Sequence, residues 1–216
     1  MAKEKIAKTN AARLLDKDKI KYELVPYEVD ENDLSCVHVA ATLGENIEQV
    51  FKTLVLHGDK SGYFVCVIPG EHEIDLKMAA KVSGNKKCDL IPVKELLPLT
   101  GYIRGGCSPI GMKKHFPTYI HHTCNDFPYI YVSAGVRGLQ VKLAPDDLIK
   151  VSRAEVCTLF GEEECGDVLF ETWANFVRFV LIFSLFYTEK IEKTGQLPVF
   201  LPLFYIFAKN IKFINH

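Results

Sequence analysis

The chain has 216 residues, enough for one well-buried domain with about fifty residues to spare, and a second full domain is not expected. Its 48% hydrophobic content and formal net charge of −1 describe a soluble globular protein, so a nucleic-acid partner would have to be held by a local patch rather than by an overall positive field. Seven cysteines, an odd number without a CxxC pair, exclude the disulfide framework of a secreted module and argue against structural zinc. The opening Met-Ala-Lys-Glu-Lys-Ile is charged from its third residue and lacks the apolar core of a secretory signal, which predicts a cytoplasmic protein.

Residues 9–18 carry Ala11, Ala12, Leu14 and Leu15 among charges, a helical pattern that opens the domain. Residues 21–28 contain Tyr22, Leu24 and Tyr27 around Pro26, which suits an edge strand because proline cannot donate to a ladder. A short helix follows over 35–43, with Ser35 near its N-cap and Gly44 just past its end, and then a short turn over 47–50. The β-rich runs 51–57 and 63–68 flank a polar glycine turn and predict a hairpin at the centre of the sheet.

Helix is expected over 75–83, stopped by Gly84; a short strand over 87–91; and a helical turn over 93–97, ended by Pro98. Three more strand candidates are 118–123, 128–133 and 139–143. A helix over 145–157 begins with proline in its first turn. Strands and helices in this order, several joined by short turns, predict an α/β domain on a mixed sheet rather than a doubly wound parallel one. In the pair His121-His122, a strand would point the two rings to opposite faces, which weakens it as a metal site.

The expected domain covers residues 1–160. Residues 161–216 differ in character: a Glu-rich link leads to apolar stretches over 176–187 and 197–208. Neither matches the roughly 20 apolar residues of a spanning helix, since charges bound the first and Pro198 and Pro202 break the second, so no stable membrane insertion is expected. A re-entrant or interfacial segment and a partner-docking helix stay open; the favoured reading is an add-on without a catalytic role.

The most unusual stretch is Gly101-Tyr-Ile-Arg-Gly-Gly-Cys-Ser-Pro-Ile-Gly111. Gly105 and Gly106 can take positive φ and admit a ligand to the main chain, while Pro109 pushes Ser108 toward an extended conformation. Amides of Gly105, Gly106, Cys107 and Ser108 could converge on a phosphate, a carboxylate or the oxyanion of an acyl-transfer intermediate. A tight turn with a bulge fits the glycines equally well. Lys52 opens the hairpin strand between Phe51 and Thr53, where alternation can turn its ammonium into a cleft to hold a substrate oxygen; snorkelling to solvent is the plain alternative. Tyr27 offers a hydroxyl or a pocket wall, or simple core packing. The turn Ser133-Ala-Gly-Val-Arg-Gly138 suits the lining of the same cleft or a bare hairpin. Cys107 invites a nucleophile reading, but no histidine is placed by sequence to activate it and a small apolar role fits as well. Lys113-Lys114 could meet a phosphate backbone or be a solvated pair.

Four stretches taken together carry a resemblance: Phe51-Lys-Thr-Leu54, Ile74-Asp-Leu-Lys-Met-Ala-Ala80, the long glycine segment continued to Lys114, and Tyr131-Val-Ser-Ala-Gly-Val-Arg-Gly138. They look like the motifs of the YbaK/EbsC family, whose best-known members are Cys-tRNA(Pro) deacylases related to the editing domain of bacterial prolyl-tRNA synthetases. The match runs in the family's order over about residues 5–157.

The resemblance implies a compact domain on a mixed, barrel-like β-sheet surrounded by helices. It implies hydrolysis, in trans, of the ester joining a wrong amino acid to the 3′ end of tRNA, with Cys-tRNA(Pro) the first candidate and Ala-tRNA(Pro) or non-catalytic binding of tRNA or synthetase as rivals. The implied partners are the acceptor end of aminoacyl-tRNA and prolyl-tRNA synthetase, with no cofactor and no metal. Lys52 matches the family's active-site lysine; Gly105 and Pro109 match the ends of its G-x-x-x-P loop; Tyr27, Ser133 and Gly135 match pocket positions. Thr53, Gly106, Cys107 and Ser108 accompany them as candidate site residues. The sequence departs from the family at Gln140, where an Asp is common, and in its last fifty or so residues.

Overall fold

The computed structural model describes residues 8–161, to which every structural statement here applies. The elements in chain order are α1 (Asn10–Lys17), β1 (Tyr22–Pro26), α2 (Cys36–Leu43), a 3-10 turn (Ile47–Gln49), β2 (Phe51–Gly58), β3 (Gly62–Pro69), α3 (Leu76–Val82), β4 (Cys88–Leu90), α4 (Val93–Thr100), β5 (Thr118–His121), a second 3-10 turn (His122–Asp126), β6 (Ile130–Ser133), β7 (Leu139–Leu143), α5 (Pro145–Ser152) and β8 (Glu155–Cys157).

The strands form two sheets. The larger has the order β4-β2-β3-β5-β8, with β4, β2 and β3 antiparallel and β3, β5 and β8 parallel; the smaller is antiparallel with the order β1-β7-β6. The mixed character expected from the sequence is present. Its barrel-like closure comes from two sheets that meet at a parallel bridge between Val50 and Tyr131.

The hairpin is central, as its composition requires. β3 is buried along most of its length, with Val65 and Val67 on one face and Phe64, Cys66 and Ile68 on the other. A strand buried on both faces reads as a continuous apolar run, which is the pattern of residues 63–68. The main core lies between the sheets: Phe51, Val55, Val65 and Val67 of the larger meet Ile130, Val132, Leu139, Val141 and Leu143 of the smaller, closed by Ala11 and Leu15 of α1 and Leu148 of α5. A second cluster joins Phe64, Cys66 and Ile68 to Ala79 and Ala80 of α3. The hairpin turn is pinned by buried Asn85, whose Oδ1 accepts from the Lys60 and Ser61 amides at 2.9 Å and whose Nδ2 donates to Ser61 Oγ and Ser83 Oγ at 2.8 Å.

Several helix signals are used as expected. Ser35 caps α2 by accepting from His38 N at 3.2 Å, and Gly44 ends it in the left-handed region; Asp75 caps α3 in the same way from Lys77 N and Met78 N. Two expectations are corrected. Pro98 does not end α4, which runs on to Thr100; the lost Pro98 N–H removes one bond, while Gly101 N–H donates to Leu97 O and Thr100 Oγ1 to Leu96 O. The last helix stops at Ser152 rather than 157. Arg153 adopts a left-handed φ of 53°, Ala154 N–H bonds back to Ile149 O, and the freed residues 155–157 pair with β5 as an edge strand.

The histidine pair differs as well. β5 ends at His121, so His121 and His122 are not strand neighbours with opposed side chains; their ring centroids lie 4.4 Å apart. His121 also stacks on Phe160 at 3.8 Å, and Phe160 on His72 at 4.1 Å. Among the described residues no group of His, Cys, Asp or Glu is arranged to hold a metal, and no helix is long and apolar enough to cross a membrane. The two apolar stretches after residue 161 lie outside the described residues.

Burial pushes the His121 imidazole down to about 4, with the neighbouring His122 acting in the same direction. The unfolded chain, with a histidine near pH 6.5, therefore binds more protons than the folded one between pH 6.5 and 4, and stability falls as pH falls through that window. The expected loss is about 2–3 kcal/mol. Urea midpoints measured from pH 7 to pH 4 should show this slope, and His121→Phe should flatten it; an unchanged slope in the variant would assign the effect elsewhere.

Candidate functional site

A cleft of about 460 Å³ opens where α2, the start of β2, α4, the glycine loop and the small sheet come together. Its position follows from the end of β2. The strand enters the larger sheet at Phe51, whose side chain is core, and the next residue, Lys52, turns a half-buried side chain to the cleft with Nζ donating to Gly70 O at 3.0 Å. Gly70 N–H in turn donates to Val50 O at 2.7 Å. A Cβ on Gly70 would lie 2.2 Å from Cys36 Cβ, so glycine is what allows the first turn of α2 to close against the hairpin. Lys52 is thus tethered at its tip rather than free to snorkel.

The glycine loop lies across the cleft from Lys52's strand. Gly105 takes φ 81°, as expected, and lines the cleft. Gly106 is needed for a different reason: its φ is ordinary, but a Cβ would sit 3.1–3.2 Å from the backbone of Val136 and Arg137 in the β6–β7 turn. Its N–H donates to Ile103 O at 3.0 Å, so it is not one of a convergent set of free amides. The amides of Gly105 and Cys107 have no acceptor among the described residues. Ser108 and Pro109 are buried beneath the loop; Ser108 Oγ accepts from Ile110 N at 3.2 Å and shapes the turn.

Of the residues singled out in the sequence, Lys52, Thr53, Gly105, Cys107 and Ser133 line the cleft together. Tyr27, Gly106, Ser108, Pro109 and Gly135 are not among its lining residues. Tyr27 packs beside Val39, Val50 and Tyr131 in a small cluster behind α2. Gly135, at φ 95°, makes room for the Tyr102 ring, whose edge would be 2.7 Å from a Cβ there; Tyr102 OH donates to Ile110 O at 2.6 Å and ties down the loop from inside. Lys113 does not reach out as a phosphate contact, since its Nζ turns toward Leu97 O at the end of α4.

Cys36, Arg104 and Gln140 are among the lining residues that went unselected in the sequence. Cys36 and Arg104 carry no local signal, because a helix's first residue and a loop cation are recognisable only once the chain is folded. Gln140 stood out only as a departure from the family pattern.

The chemistry available is narrow. Lys52 and Arg104 bring two cations, and among the described residues no Asp, Glu or His lines the cleft. Burial pushes the Cys107 thiol up to about 12 and raises Cys36 too, the latter opposed by the charge of Lys52. Neither thiol is ionised at neutral pH, so the nucleophile reading of Cys107 finds no support in its surroundings. What remains is an arrangement that binds, orients and neutralises negative charge.

Gly70→Ala should force α2 from the hairpin and release the Lys52 tether. The expected result is a loss of about 1–3 kcal/mol in stability together with faster alkylation of Cys36. Urea unfolding and mass-spectrometric thiol labelling would check it; wild-type values for both would show that the contact tolerates a methyl group.

Residues 30–151 match the sequence profile of the family described as the aminoacyl-tRNA editing domain, more than half of the chain. EbsC of Enterococcus faecalis, named as a candidate Cys-tRNA(Pro)/Cys-tRNA(Cys) deacylase, is 46% identical over 164 residues, which span 76% of this chain and all of EbsC. The fold is similar to that of a crystal structure titled as a candidate trans-editing enzyme for prolyl-tRNA synthetase, with a TM-score of 0.61 at 22% identity over 71% of this chain and 98% of that one. It is similar also to hypothetical protein APE2540, with a TM-score of 0.64 at 20% identity over 70% of this chain and 99% of that one. The sequence motifs, the fold and the relatives agree, and the chain belongs to the aminoacyl-tRNA editing domain family, in its YbaK/EbsC branch.

Proposed function

We propose that this chain is a trans-acting editing hydrolase that cleaves the aminoacyl ester of mischarged tRNA, with Cys-tRNA(Pro) its main substrate. The observation that carries the reading is the cleft's combination of a tethered Lys52, loop amides at Gly105 and Cys107 without an acceptor, and, among the described residues, no side chain suited to covalent or general-base catalysis. An aminoacyl ester is already activated, so holding it in a reactive geometry and stabilising the oxyanion is sufficient. The relative EbsC, named for Cys-tRNA(Pro) and Cys-tRNA(Cys), supports the substrate class.

In this mechanism the carbonyl oxygen of the ester rests against the Gly105 and Cys107 amides, and Lys52 contributes positive charge as the oxygen becomes anionic. A water, or the substrate's own thiol, adds to the carbonyl carbon. The tetrahedral intermediate collapses with departure of the ribose 3′ oxygen, which takes up the proton given up by the attacking water or thiol; the tRNA leaves with a free terminal hydroxyl, and the amino acid leaves as the free acid, or as its thiolactone where the thiol attacked. Ser133 and Thr53 border the acyl group. Gly106, Ser108, Pro109 and Gly135 support the loop from behind, and Tyr27 supports α2.

Residues 1–160 carry the activity in this reading, and the later residues are dispensable for it. A net charge of −1 gives weak intrinsic attraction to tRNA, so prolyl-tRNA synthetase is the proposed partner that supplies tRNA selectivity. Tight, sequence-selective binding of free tRNA by the isolated protein at physiological salt would overturn that part.

The direct test is amino-acid release from purified Cys-tRNA(Pro) and Ala-tRNA(Pro) by the full chain, by residues 1–160, and by Lys52→Ala. Cysteine release should exceed alanine release, and Lys52→Ala should lower kcat by about 100-fold or more while the fold is retained. A folded wild-type protein that hydrolyses neither ester would leave the cleft a binding site for tRNA or synthetase.

A further inference from the structure

The cations around the cleft differ in what already holds them. Lys52 Nζ donates to Gly70 O, and Arg137, which reaches the glycine loop from the β6–β7 turn, donates from Nε to Arg104 O at 2.9 Å and from its guanidinium end to Glu31. Arg104 is exposed and lines the cleft, and its guanidinium bonds to no group among the described residues. Its main chain, by contrast, is fixed. Gly106 N–H donates to Ile103 O at 3.0 Å and Gly105 takes φ 81°, which makes a turn with Arg104 and Gly105 at its corners, and Arg137 pins the carbonyl between them. A side chain with five unused donors is thus carried on a rigid backbone, one residue before the Gly105 amide.

An acidic segment runs past this turn, since Leu34 packs so close to Gly105 that a Cβ there would lie 3.3 Å from Leu34 Cδ1. Its carboxylates are turned to other donors: Glu31 to Arg137, Asp30 to Asn32 N at 2.8 Å and Asp33 to Ser35 N at 2.9 Å, and none bonds to Arg104. A free guanidinium fork pairs best with the two oxygens of a carboxylate or a phosphate. On an aminoacyl-tRNA end the ester carbonyl is neutral and the α-amine is neutral or positive, so the negative charge lies on the phosphodiesters. The first of these is attached to the 5′ carbon of the same ribose that carries the ester. With the ester carbonyl on the Gly105 and Cys107 amides, the cation of the preceding residue stands beside that ribose, and this phosphodiester is the first anion it meets.

We propose that Arg104 binds the phosphodiester on the 5′ side of the terminal adenosine, its guanidinium donating to the two non-bridging oxygens, while Arg137 is the positioning residue that fixes the turn from which Arg104 extends. The inference rests on the deacylase reading above and deepens it: the substrate is held at two points, carbonyl and phosphate, by neighbouring residues of one loop. An amino-acid ester without a nucleotide loses the second point.

The test uses the full chain and two forms of Cys-tRNA(Pro), one natural and one with a neutral methylphosphonate at its last internucleotide linkage. Removing the charge should lower kcat/KM for cysteine release by the wild type about tenfold or more. Arg104→Gln should lose a similar factor on the natural form and be indifferent to the linkage, since both changes break the same contact. Lys94→Gln, exposed in the first turn of α4 and outside the cleft lining, should keep the wild-type ratio between the two forms. Release from the natural form accompanied by equal wild-type rates on both, by an undiminished ratio in Arg104→Gln, or by an equal loss of the ratio in Lys94→Gln overturns the Arg104 assignment alone. No release from either form by the folded wild type overturns the deacylase reading and the assignment with it.

Discussion

Much of the site depends on the backbone of Gly70. Its N–H bonds to Val50, the residue through which the hairpin also bridges to Tyr131 of the small sheet, and its carbonyl receives Lys52 Nζ. The space where its side chain would be is filled by Cys36 of α2. One residue therefore links the central hairpin, the second sheet, the helix over the cleft and the cation within it. The link is made through backbone atoms and close contact, which leaves the side chains around it free to differ in size and polarity.

The fold was legible where its cause is local. Two β-rich runs and a polar turn marked the hairpin, Ser35 announced the start of α2 and Gly44 its end, and Gly84 the stop after α3. It was illegible where tertiary pairing overrode local rules. Residues 155–157 look like the end of a helix, yet β5 offers a parallel edge, and Arg153 accepts a left-handed conformation to reach it. Pro98 shows the reverse: a nominal breaker is carried through α4, where Leu96 and Leu99 pack against the main core. The division of the strands between two sheets depends on long-range register, which no single stretch encodes.

The site divides in the same way. Lys52 and Gly105 stood out because a cation opening an apolar strand and a glycine-dense loop are unusual in themselves, and the cleft contains both. The glycines were separated only by structure: Gly105 is needed for its φ, Gly106 for close approach to the β6–β7 turn, and Gly135 to admit a tyrosine ring. Cys36, Arg104 and Gln140 required three-dimensional neighbours. Tyr27 and Ser108 look polar and available in the sequence, whereas in the fold Tyr27 packs behind α2 and Ser108 serves the loop's own turn.

A cleft without a proton-transferring side chain has a built-in limit on the bonds it can break. A ribose oxygen can depart from a tetrahedral centre with little help, because an alkoxide stabilised by its neighbouring hydroxyl is a tolerable leaving group. An amide nitrogen cannot, since it must be protonated before it leaves. Among the described residues, two cations and two protonated thiols are the titratable groups lining the cleft, and neither kind is matched to that task at neutral pH. A peptide bond shares the same carbonyl but makes that demand of its leaving group. In the deacylase reading proposed above, the narrowness of this lining is then itself a form of selectivity, one set by the leaving group rather than by the acyl group.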